Sequence, residues 1–182
     1  MATALLIVDI QNDYFPGGAY PLVGPEAAAE VASGVLARFR AEGRPVVHVQ
    51  HVWDAPDAEF MRPGTAGIEI NAAVAPNDGE PVVTKAYPNS FRETTLAATL
   101  SERDIDGLVV VGMMTSMCVD ATVRSAADLG FEVTVVADGC AAPDLEYGGR
   151  TVAAADVHAA FLAALADSYA TVVTAAELDL AR

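Results

Sequence analysis

Three side chains of this 182-residue sequence stand where strand-like apolar runs end. Asp9 follows Leu-Leu-Ile-Val, Lys85 follows Val-Val-Thr, and Cys118 comes a few residues after Val-Val-Val-Gly112. Brought together, they could carry nucleophilic catalysis, with the thiol attacking, the carboxylate moving the proton and the ammonium supporting the charge. Cys118 has local support. It closes Gly112-Met113-Met114-Thr115-Ser116-Met117-Cys118, a strand-to-helix turn in which Thr115 or Ser116 can cap the helix and expose unpaired backbone N–H groups. Those groups and the positive end of the helix dipole favour a thiolate, and a nearby Lys85 ammonium would add to the effect. The same N–H groups could receive the oxyanion of a tetrahedral intermediate, an effect worth about 2.7–4 kcal/mol per donor. A buried structural thiol is the competing reading, because Cys is among the most buried residue types. Asp9 by itself reads as a turn cap, although five apolar residues before it put its carboxylate at the edge of a dry interior. Lys85 by itself reads as a solvated surface lysine.

The elements that must position these groups follow from apolar periodicity. Bursts of strand length run over Ala4 to Val8, Pro45 to Val52, Pro81 to Thr84, Leu108 to Val111, Val133 to Ala137 and Thr171 to Thr174. Most are rich in Val and Ile without strict alternation, the pattern of strands covered on both faces. Helices are expected over Pro25 to Ala41, Met117 to Leu129 and Arg150 to Asp167, with Gly43 and Gly130 ending the first two. Alternating strands and helices predict a parallel sheet between helical layers, with ligands bound beyond the carboxyl ends of the strands. Asp9, Lys85 and Cys118 all fall on that side. The stretches Asp13 to Gly24 and Trp53 to Gly67, with Pro, Gly and aromatic residues, frame the expected crevice.

Other residues invite a reading beside their ordinary one. Phe15, Trp53, Tyr87 and Phe91 follow strand ends and could wall a substrate pocket, though single aromatics are more often core. Gln11, two residues past Asp9, could hold the site's geometry through hydrogen bonds. His48 and His51 lie three apart on a strand and point to opposite faces, so they form no two-ligand metal site. His158 and Cys140 read as structural.

Bulk properties narrow the function. A chain of this length, 53% hydrophobic, suits one domain with one substantial core. Its net charge of -15 would repel a phosphate backbone or an anionic membrane surface, so nucleic acid and membrane are not expected partners. Two cysteines make no disulfide framework, which suits a reducing cytoplasm. The N-terminus has no basic region and reaches a charge after a short apolar run, so neither a signal peptide nor a membrane span is expected there.

Taken together, Leu-Leu-Ile-Val-Asp9-Ile-Gln11-Asn12-Asp13, Val-Val-Thr-Lys85 and Gly112-Met-Met-Thr-Ser-Met-Cys118-Val-Asp-Ala-Thr122 resemble the isochorismatase-like cysteine hydrolases, over nearly the whole chain and in the family's motif order. The resemblance implies a three-layer α/β/α fold with a six-stranded parallel sheet of order 3-2-1-4-5-6 and an Asp-Lys-Cys triad falling on Asp9, Lys85 and Cys118. It also implies a cis peptide between Met113 and Met114 that sets the Met114 N–H beside that of Cys118 as the oxyanion hole, and assembly as a homodimer or homotetramer. That strand order sets Asp9 two strand spacings of about 4.8 Å each from Lys85, a gap a lysine arm can cross.

Departures from subfamily patterns sharpen the reaction. Nicotinamidases of this family hold a metal through an Asp-x-His pair after the second strand; here the stretch is Gln50-His51-Val52-Trp53, with no further His until His158. Neither a metal nor another cofactor is expected. Enzymes of the family that cleave a vinyl ether lack the nucleophilic cysteine. The nucleophile turn and Tyr87-Pro88-Asn89-Ser90-Phe91 look closest to the cysteine hydrolases that include streptothricin hydrolase. The expected activity is metal-independent hydrolysis of a small amide through a Cys118 thioester. The alternatives are a vinyl-ether hydrolase, a redox or ligand sensor using a reactive thiol with Cys140 as its partner, and a scaffold with a vestigial triad.

Overall fold

A computed structural model describes residues 2–180. In chain order its main elements are β1 (Ala2–Val8), α1 (Pro25–Ala41), β2 (Val46–His51), β3 (Val82–Lys85), α2 (Leu96–Ser101), β4 (Ile105–Met113), α3 (Asp120–Asp128), β5 (Glu132–Ala141), α4 (Ala154–Ser168) and β6 (Thr171–Val173). The six strands form one parallel sheet in the expected order, β3-β2-β1-β4-β5-β6.

Side-chain alternation on β1 shows how the layers form. Leu5 and Ile7 join Ala32, Val35, Leu36 and Phe39 of α1 in one core cluster. Ala4, Leu6 and Val8 join Leu96 and Leu100 of α2, Val123 and Ala126 of α3, and Leu162 and Leu165 of α4 in the other. Burying a large side chain such as Phe39 or Leu36 stabilises the fold by about 1.5–3 kcal/mol. One helix therefore covers one face and three cover the other. Right-handed crossovers require this division, because the chain moves from β1 outward to β3 and then returns across the sheet to build β4, β5 and β6 in the opposite direction. The strand order thus reverses between β1 and β4, and a crevice opens at such a reversal beyond the strand ends.

Two helices begin later than their sequence pattern suggests. Arg150–Val152 is not the start of a helix; it pairs antiparallel with Leu145–Tyr147, and α4 begins at Ala154. Gly148 and Gly149 both have positive φ, the requirement of a tight hairpin turn. The expected helix from Met117 is divided into a π-helical turn, Thr115–Val119, and α3. The short α2 was not apparent from periodicity. Among the described residues no helix is long and apolar enough to cross a membrane.

Candidate active site

Asp9 is the residue immediately after β1, fully buried and with φ of 50°, a left-handed conformation that Asp tolerates better than most residues. Its N–H donates to Val49 O at 3.1 Å, which keeps the strand end pinned to β2 while the backbone turns. Lys85 is the last residue of β3 and lies in register with His51 on β2. Its arm crosses the intervening strand and sets Nζ 2.7 Å from Asp9 Oδ2, with both side chains wholly buried.

The lysine nitrogen has more polar neighbours than its three protons can serve. Besides Asp9 it faces Tyr87 O at 3.0 Å, Pro88 O at 3.2 Å and His51 Nδ1 at 3.0 Å. Neither Asp9 oxygen meets a donor with hydrogen-bond geometry among the described residues. The Asp9–Lys85 contact is therefore an ion pair, and the carboxylate keeps its accepting capacity. Burial pulls the Lys85 pKa down, but Asp9 and then Cys118 outweigh it, so the value lies above that of an ordinary lysine. The ammonium stays charged.

The third group comes from the far side of β1. Gly112 sits on β4 opposite Val8, with φ of 151°. A Cβ there would lie 2.2 Å from Val8 O, so only glycine lets β4 approach β1 this closely. The Met113–Met114 peptide that follows is cis. The chain then enters the π-helical turn, in which Met114 O accepts from the N–H groups of Met117 and Val119 at 3.0 and 3.2 Å. Cys118 lies in this turn, only 2% exposed, and an oxygen of Asp9, a ring nitrogen of His51 and Cys118 Sγ all fall within 4.8 Å of one another.

Two expectations for this turn need correction. Thr115 does not cap a helix; its hydroxyl pairs with His158 Nδ1 of α4 at 2.9 Å, and no side chain caps the turn or α3. The thiol is also not favoured as thiolate in the free protein. Burial, and then the neighbouring Asp9 carboxylate, push its pKa well above the ordinary value, against a smaller downward pull from Lys85. Desolvation of a group 2% exposed outweighs the polar turn.

His51 is the site residue that sequence reasoning placed on the strand but not in the site. Burial, reinforced by Lys85 and opposed by Asp9, lowers its pKa, so the ring is neutral near pH 7. Because an ammonium can only donate, Nδ1 accepts from Lys85 and the ring proton resides on Nε2. Gln11 fixes this histidine's backbone: its Oε1 accepts from His51 N–H at 2.8 Å, while its Nε2 donates to His51 O at 3.0 Å and to Ile68 O at 2.7 Å. Asp13, another residue missed, is buried and accepts from Ala19 N–H at 3.0 Å and Met61 N–H at 2.6 Å. It thereby ties together the two irregular stretches beside the crevice. Gly67 packs against this carboxylate, where a Cβ would come within 2.0 Å of Oδ1.

The four aromatic candidates are not gathered into one wall. Phe15 and Trp53 pack on the α1-side core, with Trp53 edge-on to Phe60 at 5.3 Å. Phe91 packs against Phe131 at 5.9 Å in the opposite layer, a core contact. Tyr87 lies under the Arg92 guanidinium at 3.7 Å and serves Lys85 through its carbonyl. A cavity of about 730 Å³ is bounded by Phe15, Phe60, Arg62, Asn12 and Asn71, and none of Asp9, His51, Lys85 and Cys118 lines it.

Asp9, His51 and Cys118 have the donor types of a metal site. Lys85 Nζ, however, already sits 2.7 Å from Asp9 and 3.0 Å from His51 Nδ1, where it provides the positive charge a metal ion would bring. His48, on the other face of β2 as its spacing requires, pairs with Glu80 Oε2 at 2.9 Å. Glu80 also takes two hydrogen bonds from Arg40, which help hold its pKa at about 2. That network braces the sheet edge away from the thiol.

Known proteins of the same architecture share this arrangement of elements. The isochorismatase domain model matches residues 3–177. The isochorismatase family protein YddQ of Bacillus subtilis is 49% identical over 174 residues, covering 96% of this chain and 97% of its own. Streptothricin hydrolase of Streptomyces noursei is 37% identical over 144 residues, 78% of this chain but 50% of its own length. Maleamate amidohydrolase of Pseudomonas putida is 36% identical over 148 residues, 73% of this chain and 69% of its own. A crystal structure assigned as an isochorismatase hydrolase from Oleispira antarctica superposes with a TM-score of 0.94 at 51% identity, covering 97% of this chain and 95% of that one.

Proposed function

Because the chain belongs to the isochorismatase family of hydrolases, we propose that it cleaves the C–N bond of a small amide through a thioester on Cys118, with no metal. The observation that carries this reading is the fully buried Asp9 carboxylate, held at 2.7 Å by Lys85, meeting no donor with full hydrogen-bond geometry among the described residues and lying within 4.8 Å of the thiol. A buried carboxylate with unused acceptor capacity beside a neutral thiol is a general base in waiting. Asp9 takes the Cys118 proton as sulfur attacks the carbonyl, which suits a thiol that is protonated at rest. The N–H groups of Met114 and Cys118 receive the oxyanion. Asp9 then passes its proton to the leaving amine; on deacylation it takes one from the attacking water and returns it to the Cys118 thiolate expelled as the thioester bond breaks. Lys85, with its protons committed to Tyr87 O, Pro88 O and His51, supplies charge and does not shuttle. Maleamate amidohydrolase among the relatives supports the choice of an amide.

Vinyl-ether cleavage is less well supported, because it would leave Cys118 without a task. A redox pair with Cys140 is disfavoured by chemistry: burial pushes the Cys140 thiol up to about 12, so it offers almost no thiolate to resolve an oxidised partner. The same proposal has the enzyme working on a small molecule in the cytoplasm as a homodimer or homotetramer, for which light scattering on the purified protein gives the mass directly. The decisive experiment is trapping. The protein is incubated with a panel of small amides, maleamate included, and its mass is followed. An acyl adduct on the Cys118 peptide, absent in Cys118→Ala, is expected. Undiminished turnover by Cys118→Ala on any amide the wild type cleaves would overturn the scheme.

A further inference from the structure

We propose that Thr122 is a positioning residue that holds the carbonyl cradle of Lys85 on the same helical segment that carries Cys118. The inference rests on the reading of Asp9, Lys85 and Cys118 as one catalytic unit, and it concerns what keeps that unit in register.

Thr122 lies four residues after Cys118, in the first turn of α3, and is fully buried. Its hydroxyl accepts from Ser90 N–H at 3.1 Å, pairs with Ser90 Oγ at 2.8 Å and donates to Pro88 O at 3.4 Å. With Ser90 Oγ as donor in that pair, the Thr122 hydroxyl makes one donation and two acceptances, its full capacity. Pro88 O then has two donors, the Thr122 hydroxyl and the Lys85 ammonium at 3.2 Å. A second tie lies one step along the same face of α3, where Asn89 Nδ2 donates to Ser125 Oγ at 3.1 Å. The stretch from Tyr87 to Phe91 is thus bolted to α3 at two points, and two of its carbonyls hold the lysine. Lys85 comes from an edge strand and Cys118 from the opposite side of β1, so no direct strand pairing fixes the distance between them. The Thr122 hydroxyl provides that link.

Valine keeps the shape of threonine and removes the hydroxyl, leaving Ser90 N–H and Pro88 O each short of a partner. Iodoacetamide alkylation of Cys118 against pH, resolved from Cys140 by peptide mass, reads the lysine's influence on the thiol without needing a substrate. Thr122→Val is expected to slow alkylation near neutral pH about tenfold, the effect of one misplaced charged hydrogen bond, and to move the profile toward that of Lys85→Met. Thr122→Ser should restore it, and Thr122→Val combined with Lys85→Met should be no slower than Lys85→Met alone. If Thr122→Val fails to fold, Ser90→Ala, which removes one of the three contacts, should show a smaller shift in the same direction. A wild-type profile in Thr122→Val, or in Ser90→Ala where that variant has to stand in, overturns the proposal if Lys85→Met is shifted. An unshifted Lys85→Met profile instead removes the catalytic reading on which the proposal rests.

Discussion

Replacing Lys85 by methionine keeps most of the buried stem and deletes the charge that neutralises Asp9. At 2.7 Å, with an effective dielectric constant near 20, the gross attraction is about 6 kcal/mol. Desolvation of two wholly buried groups offsets much of that, and breaking such a pair by removing one partner costs about 3–5 kcal/mol. Lys85→Met also strips a donor from Tyr87 O, Pro88 O and His51 Nδ1. A double-mutant cycle with Asp9→Asn separates the two effects, because the loss of those three contacts is common to Lys85→Met and to the double variant. Urea unfolding at pH 7 should show Lys85→Met destabilised by at least about 3 kcal/mol. The double variant should be more stable than the sum of the singles by about 2–3 kcal/mol, the upper part of the range for residues in contact. Additivity within about 0.5 kcal/mol would mean that the two charges do not sense one another. The buried ion pair would then be the wrong description of this site.

Two further outcomes follow from buried groups near the strand ends. Gly112→Ala drives a Cβ to 2.2 Å from Val8 O in a backbone conformation that alanine avoids, and should cost at least about 3 kcal/mol in a denaturation experiment; a wild-type melting temperature would contradict the close approach of β4 to β1. Cys140 tests the pH dependence of stability: its folded value, raised from 9.0 to about 12, exceeds the unfolded one, so its contribution is intact below about pH 9 and is lost as pH rises toward 12. At pH 10 the wild type should have lost about 1.4 kcal/mol through this residue, a loss missing from Cys140→Ala in parallel urea titrations; identical pH dependence in the two would refute the assignment.

The chain's covalent order determined a good deal by itself. Apolar runs of strand length separated by amphipathic stretches dictate a parallel sheet between helices, because strands buried on both faces need no alternation and crossovers need helices. The motif residues Asp9, Lys85 and Cys118 were legible as strand-end groups, and their family pattern carried the strand order with it. Even the hairpin has its signal in Gly148-Gly149, a dipeptide suited to the positive φ of a tight turn. What tertiary structure alone decided is everything that depends on register between distant segments. His51 is visible in the sequence as a histidine on a strand, yet its place beside the ammonium follows from its pairing level with Lys85. The role of Thr122 needs the loop after β3 laid against α3. The charge state of Cys118 shows the same limit most clearly. Its turn, read locally, favours a thiolate, whereas burial beside the Asp9 carboxylate keeps it a thiol. Local sequence sets which dipoles surround an atom, but how much water reaches it is a property of the whole fold, and for a group this deeply buried desolvation is the larger effect.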